Sequence, residues 1–157
     1  MKLTSRAFQH EGKIPESHSK NGGNVSPALQ WSGVPAETVS LALIVDDPDA
    51  PSGLFTHWLV YGMDPKTTEL PEHLPASGEL PNGARQGQNG FGDLGYGGPR
   101  PPSGTHRYFF HLYALDTDTD LPAGLTRDEL EGVIRGHVIA EAELMGRYQA
   151  RESTRTA

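Results

Sequence analysis

The sequence contains no cysteine, and this absence limits the chemistry available to the protein. Without cysteine the chain can form no disulfide, and it offers neither a thiol nucleophile nor a thiolate metal ligand. A chain of 157 residues is nevertheless long enough to bury a core without such support, and it fits one domain. We therefore expect a single domain over residues 1–150 and a loose, disordered tail over residues 151–157.

Positive charge is scarce as well, with 13 Lys and Arg against 20 Asp and Glu and a formal net charge of −7. Binding to a nucleic-acid backbone depends on a basic surface, so we predict no nucleic-acid partner, although a small local anion site is compatible with this charge. No segment approaches the ~18 apolar residues of a membrane helix. The N-terminus also lacks the apolar core of a secretory signal. We expect a cytoplasmic protein without a membrane span.

Glycine and proline are abundant, with 19 and 13 copies, and together they exceed their average usage. This composition favours many short strands and shaped loops over long helices. Apolar segments predict core strands over residues 39–45, 57–63 and 106–115, and alternating residues predict a half-solvated strand over 138–144. One short helix is predicted after Thr126, because this residue and Glu129 form a capping box.

A carboxylate closes the first predicted core strand. Asp47 follows the apolar residues 41–45, and the loop beside it is stiffened by Pro48 and Pro51. A carboxylate at the end of a buried strand needs a polar partner, and a histidine is the natural one. We interpret Asp49, in the same loop, as a turn residue whose carboxylate bonds the nearby backbone.

Two histidines and a tyrosine lie at the starts of the other two core strands. His57 begins the second strand, and strict alternation places its side chain on the face opposite Trp58. His106 begins the third strand and shares a face with Tyr108, two residues on. If these strand ends are neighbours, the three side chains and Asp47 surround one small pocket.

Such a cluster favours the binding of a small anion. An imidazole beside Asp47 is stabilised in its protonated form and can donate to a phosphate or carboxylate oxygen, and the Tyr108 phenol donates as well. The glycine-rich residues 83–104 would let backbone N–H groups approach a ligand, and Phe91 and Tyr96 indicate that this loop is an ordered wall or lid. Because Asp47 would itself repel an anion, we expect it to orient one of the histidines.

Metal-dependent or hydrolytic chemistry is an alternative use of the same residues. Asp47, His57 and His106 match the composition of a facial triad for Fe(II) or Zn, but the sequential ligand spacings of metalloenzymes are missing. Ser26 and Ser103 are candidate nucleophiles, yet the chain has no Gly-x-Ser-x-Gly elbow. Whether the protein is an enzyme stays open, with a binding function favoured. We predict no metal and no cofactor.

Several blocks of sequence carry a resemblance to a known family. They are Asp47-Pro48-Asp49-Ala50-Pro51, His57-Trp58, Tyr96-Gly97-Gly98-Pro99-Arg100-Pro101-Pro102, Gly104-Thr105-His106-Arg107-Tyr108 and the flanking residues 23–31 and 136–148. Over nearly its whole length the chain resembles the phosphatidylethanolamine-binding protein (PEBP) family, which includes Raf kinase inhibitor protein. Within the family it looks most like the bacterial and archaeal YbhB/YbcL-like branch.

The resemblance implies a mainly β fold, in which a large antiparallel sheet packs with a smaller sheet and short helices lie at the periphery. It also implies a role as an inhibitor of a kinase or serine protease, and it leaves open whether the protein is a homodimer. One departure is Arg100, because many relatives carry cysteine there. The implied pocket for phosphate, acetate or phosphoryl head groups consists of Asp47, His57, Pro102, His106 and Tyr108, with Pro101 as the alternative proline.

Overall fold

The computed structural model describes residues 1–118 and 120–150, so the predicted tail over residues 151–157 lies outside the described residues. Within the described ranges the chain forms nine strands, one 3₁₀ turn and one α-helix. The strands are β1 (Lys2–Thr4), β2 (Gly12–Lys13), β3 (Leu29–Ser32), β4 (Ser40–Asp47), β5 (Phe55–Met63), β6 (Glu69–Leu70), β7 (Arg85–Gln86), β8 (Thr105–Leu115) and β9 (Val138–Gln149). The 3₁₀ turn spans Glu16–His18 and the helix, α1, spans Arg127–Ile134.

The strands form two sheets of unequal size. The larger sheet has the order β2-β9-β8-β4-β5-β7, and the smaller has the order β1-β3-β6. Neighbouring strands are antiparallel except at one edge, where the two-residue strand β2 runs parallel to β9. The mainly β fold with a large and a small sheet is thus confirmed, and β2 is the exception to the predicted antiparallel pairing.

Strand β4 lies inside the large sheet, and all eight of its residues are buried. On one face, Leu43 and Trp58 belong to the same hydrophobic cluster as Trp31 of the smaller sheet. On the other face, Ile44 clusters with Leu130 of α1. Burying a large apolar side chain of this kind stabilises a fold by ~1.5–3 kcal/mol. Because both faces are covered, β4 holds its C-terminal end rigidly.

Helix α1 begins at the predicted capping box. The Glu129 N–H donates to Thr126 Oγ1 at 3.3 Å, and the Thr126 N–H donates to the Glu129 carboxylate at 2.9 Å. Gly136 follows the helix with a φ of +81°, a left-handed conformation that suits glycine. Arg127 donates to Asp46 at 2.8 Å, which ties the helix to β4. No helix in the described part of the chain has the length and apolarity needed to cross a membrane.

A bulge in β5 makes the predicted orientation of His57 wrong. Val45 pairs with Trp58, but the next residue of β4, Asp46, pairs with Thr56. His57 is therefore an extra residue in β5, and such a bulge interrupts the alternation of side chains. As a result, His57 lies on the same side of the sheet as Trp58 instead of on the opposite side.

Candidate functional site

The ends of three strands meet at one cavity. Strand β4 contributes Asp47 as its last residue, β5 contributes His57, and β8 contributes His106 and Tyr108 near its start. Because β4 is antiparallel to both neighbours, its C-terminal end lies beside their N-terminal ends. The cavity has a volume of about 260 Å³, just below the ~300–1,000 Å³ of sites for drug-sized ligands. The structure thus brings together four side chains around a space that suits a small chemical group.

Proline residues of the long loop form another part of the cavity wall. Pro102, which the resemblance placed in the pocket, lines the cavity and is largely exposed. Pro101, the alternative, lines it as well and is buried. Both prolines therefore belong to the site, with Pro101 the more enclosed of the two.

Asp47 orients His106, a choice between the two histidines that the sequence left open. The His106 Nδ1–H donates to Asp47 Oδ2 at 2.6 Å, and both side chains are buried. The other carboxylate oxygen, Oδ1, accepts the backbone N–H of Asp49 at 2.7 Å. These contacts fix the imidazole and leave its Nε2 as the ring nitrogen available to a ligand.

Asp49 has a partner far along the chain, so its interpretation as a simple turn residue was wrong. Its carboxylate accepts three hydrogen bonds of 2.9 Å from Arg107, two from the guanidinium and one from the backbone N–H. These bonds lower the pKa of Asp49 to about 2. Arg107 is thus a structural ion-pair partner of Asp49. The pair fastens the loop after β4 to the start of β8, beside Asp47 and His106.

His57 is a neutral imidazole with a defined tautomer. Its Nδ1 lies 2.6 Å from the carbonyl oxygen of Gly97, and because a carbonyl can only accept, Nδ1 must carry the proton. Burial lowers the pKa of His57 below its usual value, and nearby hydrogen bonds and carboxylates only partly oppose this effect. The Nε2 atom of neutral His57 therefore presents a lone pair.

The hydroxyl group of Tyr108 is buried and has no hydrogen-bond partner within the described residues. The Tyr108 ring contacts both imidazoles, with its centroid 5.1 Å from that of His57 and 6.4 Å from that of His106. Burial and the charge of Asp47 raise the pKa of Tyr108 well above its usual value, so the phenol keeps its proton. A buried donor without an acceptor costs ~1–3 kcal/mol. A ligand oxygen in the cavity would supply the missing acceptor.

Two phenylalanines that sequence reasoning did not assign to the site form an aromatic wall. The Phe55 and Phe91 rings meet edge to face with centroids 4.9 Å apart, and both residues line the cavity. Glycines make room for them: a Cβ atom on Gly90 would lie 2.5 Å from the Phe55 ring, and one on Gly97 would lie 2.5 Å from the Phe91 ring. The glycine-rich composition of the loop was the available signal, but the sequence analysis interpreted it as access of backbone N–H groups to a ligand and not as room for aromatic rings.

The predicted ligand-binding role of the loop N–H groups was wrong for the glycines next to the cavity. Gly90 and Gly97 donate to carbonyl groups of β5 at 2.7 and 2.8 Å. Gly98 donates to Asn24 Oδ1 at 2.7 Å. The N–H groups of Gly90 and Gly97 thus attach the loop to β5, and that of Gly98 attaches it to Asn24, so these three groups are not free to bind a ligand.

The alternative metal and nucleophile sites find no geometric support. Among residues 1–118 and 120–150, no three His, Asp or Glu side chains are grouped closely enough to hold a metal ion. The Ser26 hydroxyl is buried and accepts the Leu74 N–H at 2.9 Å. Ser103 lines a more open groove, to which His106 also contributes.

Comparisons with known proteins agree with the family resemblance. The family model described as phosphatidylethanolamine-binding protein matches residues 4–149. A UPF0098 protein of Methanothermobacter thermautotrophicus is 51% identical over 149 residues, which cover 95% of this chain and 99% of the relative. A UPF0098 protein of Aquifex aeolicus is 43% identical over 152 residues, covering 95% and 88%. The crystal structure of Escherichia coli YbcL, described as a member of the mammalian PEBP family, matches with a TM-score of 0.89 at 35% identity, covering 96% of this chain and 98% of YbcL.

Proposed function

Because the chain belongs to the phosphatidylethanolamine-binding protein family, we propose that its cavity binds a small anion, either phosphate or a phosphoryl group. The observation that carries this proposal is the buried hydroxyl of Tyr108, a residue that lines the cavity, because this hydroxyl lacks an acceptor among the described residues. Buried polar groups are nearly always hydrogen-bonded, so an unpaired donor beside a cavity marks a place where a ligand acceptor belongs.

The protonation states at the site fit a phosphate better than a carboxylate. Tyr108 donates to an unprotonated oxygen, whereas neutral His57 offers a lone pair through Nε2. A hydrogen phosphate ion carries both kinds of group, since it has charged oxygens that accept and a hydroxyl that donates. An anion without a proton would instead favour protonation of His57. Binding would therefore require a proton between the anion and His57 Nε2, carried either by the phosphate or by the imidazole.

The surrounding wall strengthens these polar contacts. Phe55, Phe91, Pro101 and the Tyr108 ring line the cavity and limit access of water to the polar groups. Hydrogen bonds and charge interactions are stronger where the local dielectric constant is low. A binding site of this kind can hold a small anion even though the formal net charge of the chain is −7.

A direct test is a titration with inorganic phosphate and with phosphoethanolamine, followed by the NMR signals of the histidine rings. We expect His57 and His106 to shift at millimolar ligand, while His137, which pairs with Asp116 at a distance of 2.9 Å, stays unchanged. If the His57 and His106 signals do not move, or move no more than that of His137, the proposed function is wrong.

Inhibition of a kinase or serine protease stays a prediction of the family resemblance, as does a homodimeric state. The same holds for the cytoplasmic location. A pull-down from the native host, with the phosphate-bound protein as bait, is the measurement that addresses partners. Size-exclusion chromatography with light scattering addresses the oligomeric state.

A further inference from the structure

Arg100 lies at the rim of the cavity, where sequence reasoning recognised only a departure from the family. Its side chain is exposed, lines the cavity and has no ion-pair partner among the residues that the structure describes. The guanidinium carbon lies 5.1 Å from the centroid of Phe91, a cation–π contact that places the charge at the aromatic wall. The contact orients a free cation at the entrance to the site.

Arg100 supplies the permanent positive charge at the cavity. Of the twelve described residues that line it, Arg100 is the one with a permanent positive charge. Asp47 is the one carboxylate, and it is paired with His106. His57 is neutral at rest, because burial lowers its pKa. In the ligand-free site, Arg100 is therefore the lining residue whose charge attracts an anion and opposes the repulsion from a chain of net charge −7.

We propose that Arg100 sets the charge preference of the cavity, so that doubly charged phosphate monoesters bind in preference to singly charged phosphodiesters. This inference rests on the proposed anion-binding function and narrows it to a ligand class. Attraction to a fixed cation grows with the charge of the ligand, and a guanidinium can contact two oxygens of one phosphate group. A monoester dianion presents three terminal oxygens that share two negative charges. A diester presents two terminal oxygens that share one negative charge.

The test compares phenyl phosphate with methyl phenyl phosphate at pH 7.5. At this pH the monoester carries nearly two charges, since its second pKa is ~6, and the diester carries one. Dissociation constants come from NMR titrations of wild type, Arg100→Gln and Arg100→Lys. At an exposed rim, we expect removal of the Arg100 charge to lower the binding affinity by roughly threefold for each negative charge on the ligand. Arg100→Gln should therefore weaken the binding of the monoester by roughly ninefold and that of the diester by roughly threefold. Arg100→Lys keeps the positive charge and should restore most of the wild-type preference for the monoester.

Lys20→Gln is the matched control. The Lys20 ammonium lies 4.6 Å from the centroid of the same Phe91 ring and pairs with Asp93 at 3.7 Å, but Lys20 is not among the residues lining the cavity. We expect it to change both dissociation constants by less than about twofold. Equal effects of Arg100→Gln and Lys20→Gln, or equal losses for the two ligands, would overturn the role of Arg100 while the anion-binding function stands. Failure of the wild-type protein to bind any phosphate compound would overturn both.

Discussion

The unpaired hydroxyl of Tyr108 leads to the prediction that its removal stabilises the ligand-free protein but weakens the binding of phosphate. Replacing Tyr108 by Phe removes a buried donor that has no acceptor in the described structure and keeps the ring that contacts both imidazoles. An unsatisfied buried donor costs ~1–3 kcal/mol. We therefore expect Tyr108→Phe to stabilise the ligand-free protein by about 1 kcal/mol, which corresponds to a rise in Tm of ~2–4 °C for a domain of this size.

The same substitution should weaken the binding of phosphate. A hydrogen bond to a charged group contributes ~1.5–3 kcal/mol, so we expect the dissociation constant to rise by at least roughly tenfold. Thermal unfolding in the presence of phosphate would then show a smaller stabilisation by the ligand than in the wild type. The combination of greater stability without ligand and weaker binding separates a ligand-binding role from a purely structural one.

Tyr96→Phe provides the control, because Tyr96 is also buried but its hydroxyl donates to the His18 carbonyl at 2.7 Å. Removing this hydroxyl leaves a carbonyl without its donor, so we expect the free energy of unfolding to fall by ~1–3 kcal/mol. Differential scanning calorimetry and urea denaturation measure both variants. If Tyr108→Phe is as destabilising as Tyr96→Phe, the Tyr108 hydroxyl has a partner in the free protein and the reasoning fails.

Two further predictions concern pH. The pKa of Asp49 is about 2, below its ordinary value of 3.8, so its stabilising effect is present above pH ~4 and is lost as the pH falls towards 2. Asp49→Asn should flatten the decline of Tm between pH 5 and pH 2, and an unchanged decline would contradict the role of the Arg107 pair. The pKa of His57 is lowered by burial, so its contribution is complete above pH ~6.5 and is lost as the pH falls below that value. His57→Asn, which keeps a donor for the Gly97 carbonyl, should reduce the loss of stability between pH 7 and pH 5. Urea denaturation at these pH values measures the effect, and an equal loss in wild type and variant would refute it.

Several features of the fold could be predicted because they depend on local patterns. The apolar run that became β4 and the alternation in β8 reflect burial at each position. The capping box of Thr126 and Glu129 needs only residues three apart. The placement of Asp47 at the end of one strand and of His57 and His106 at the starts of two others is also visible locally, although their meeting is not. Such signals lie within a few residues of one another, so the sequence displays them directly.

Other features depended on contacts between distant segments. The orientation of His57 changed because a bulge arises only when β5 is paired with β4. The choice of His106 as the partner of Asp47 joins residues 59 apart, and the bond between His57 and Gly97 joins residues 40 apart. Arg100 could be assigned to the cavity rim only once Phe91 was in place beneath it.

By itself the sequence determined the β architecture, the capped helix and the residue types that meet at the site, because periodicity, chain breakers and burial are encoded locally. The tertiary structure decided which nitrogen of His57 carries the proton, which histidine Asp47 orients and which hydroxyl lacks a partner. The physical reason is that protonation and hydrogen-bond satisfaction depend on desolvation and on neighbours contributed by remote parts of the chain. These properties exist only after the strands and the long loop have packed together.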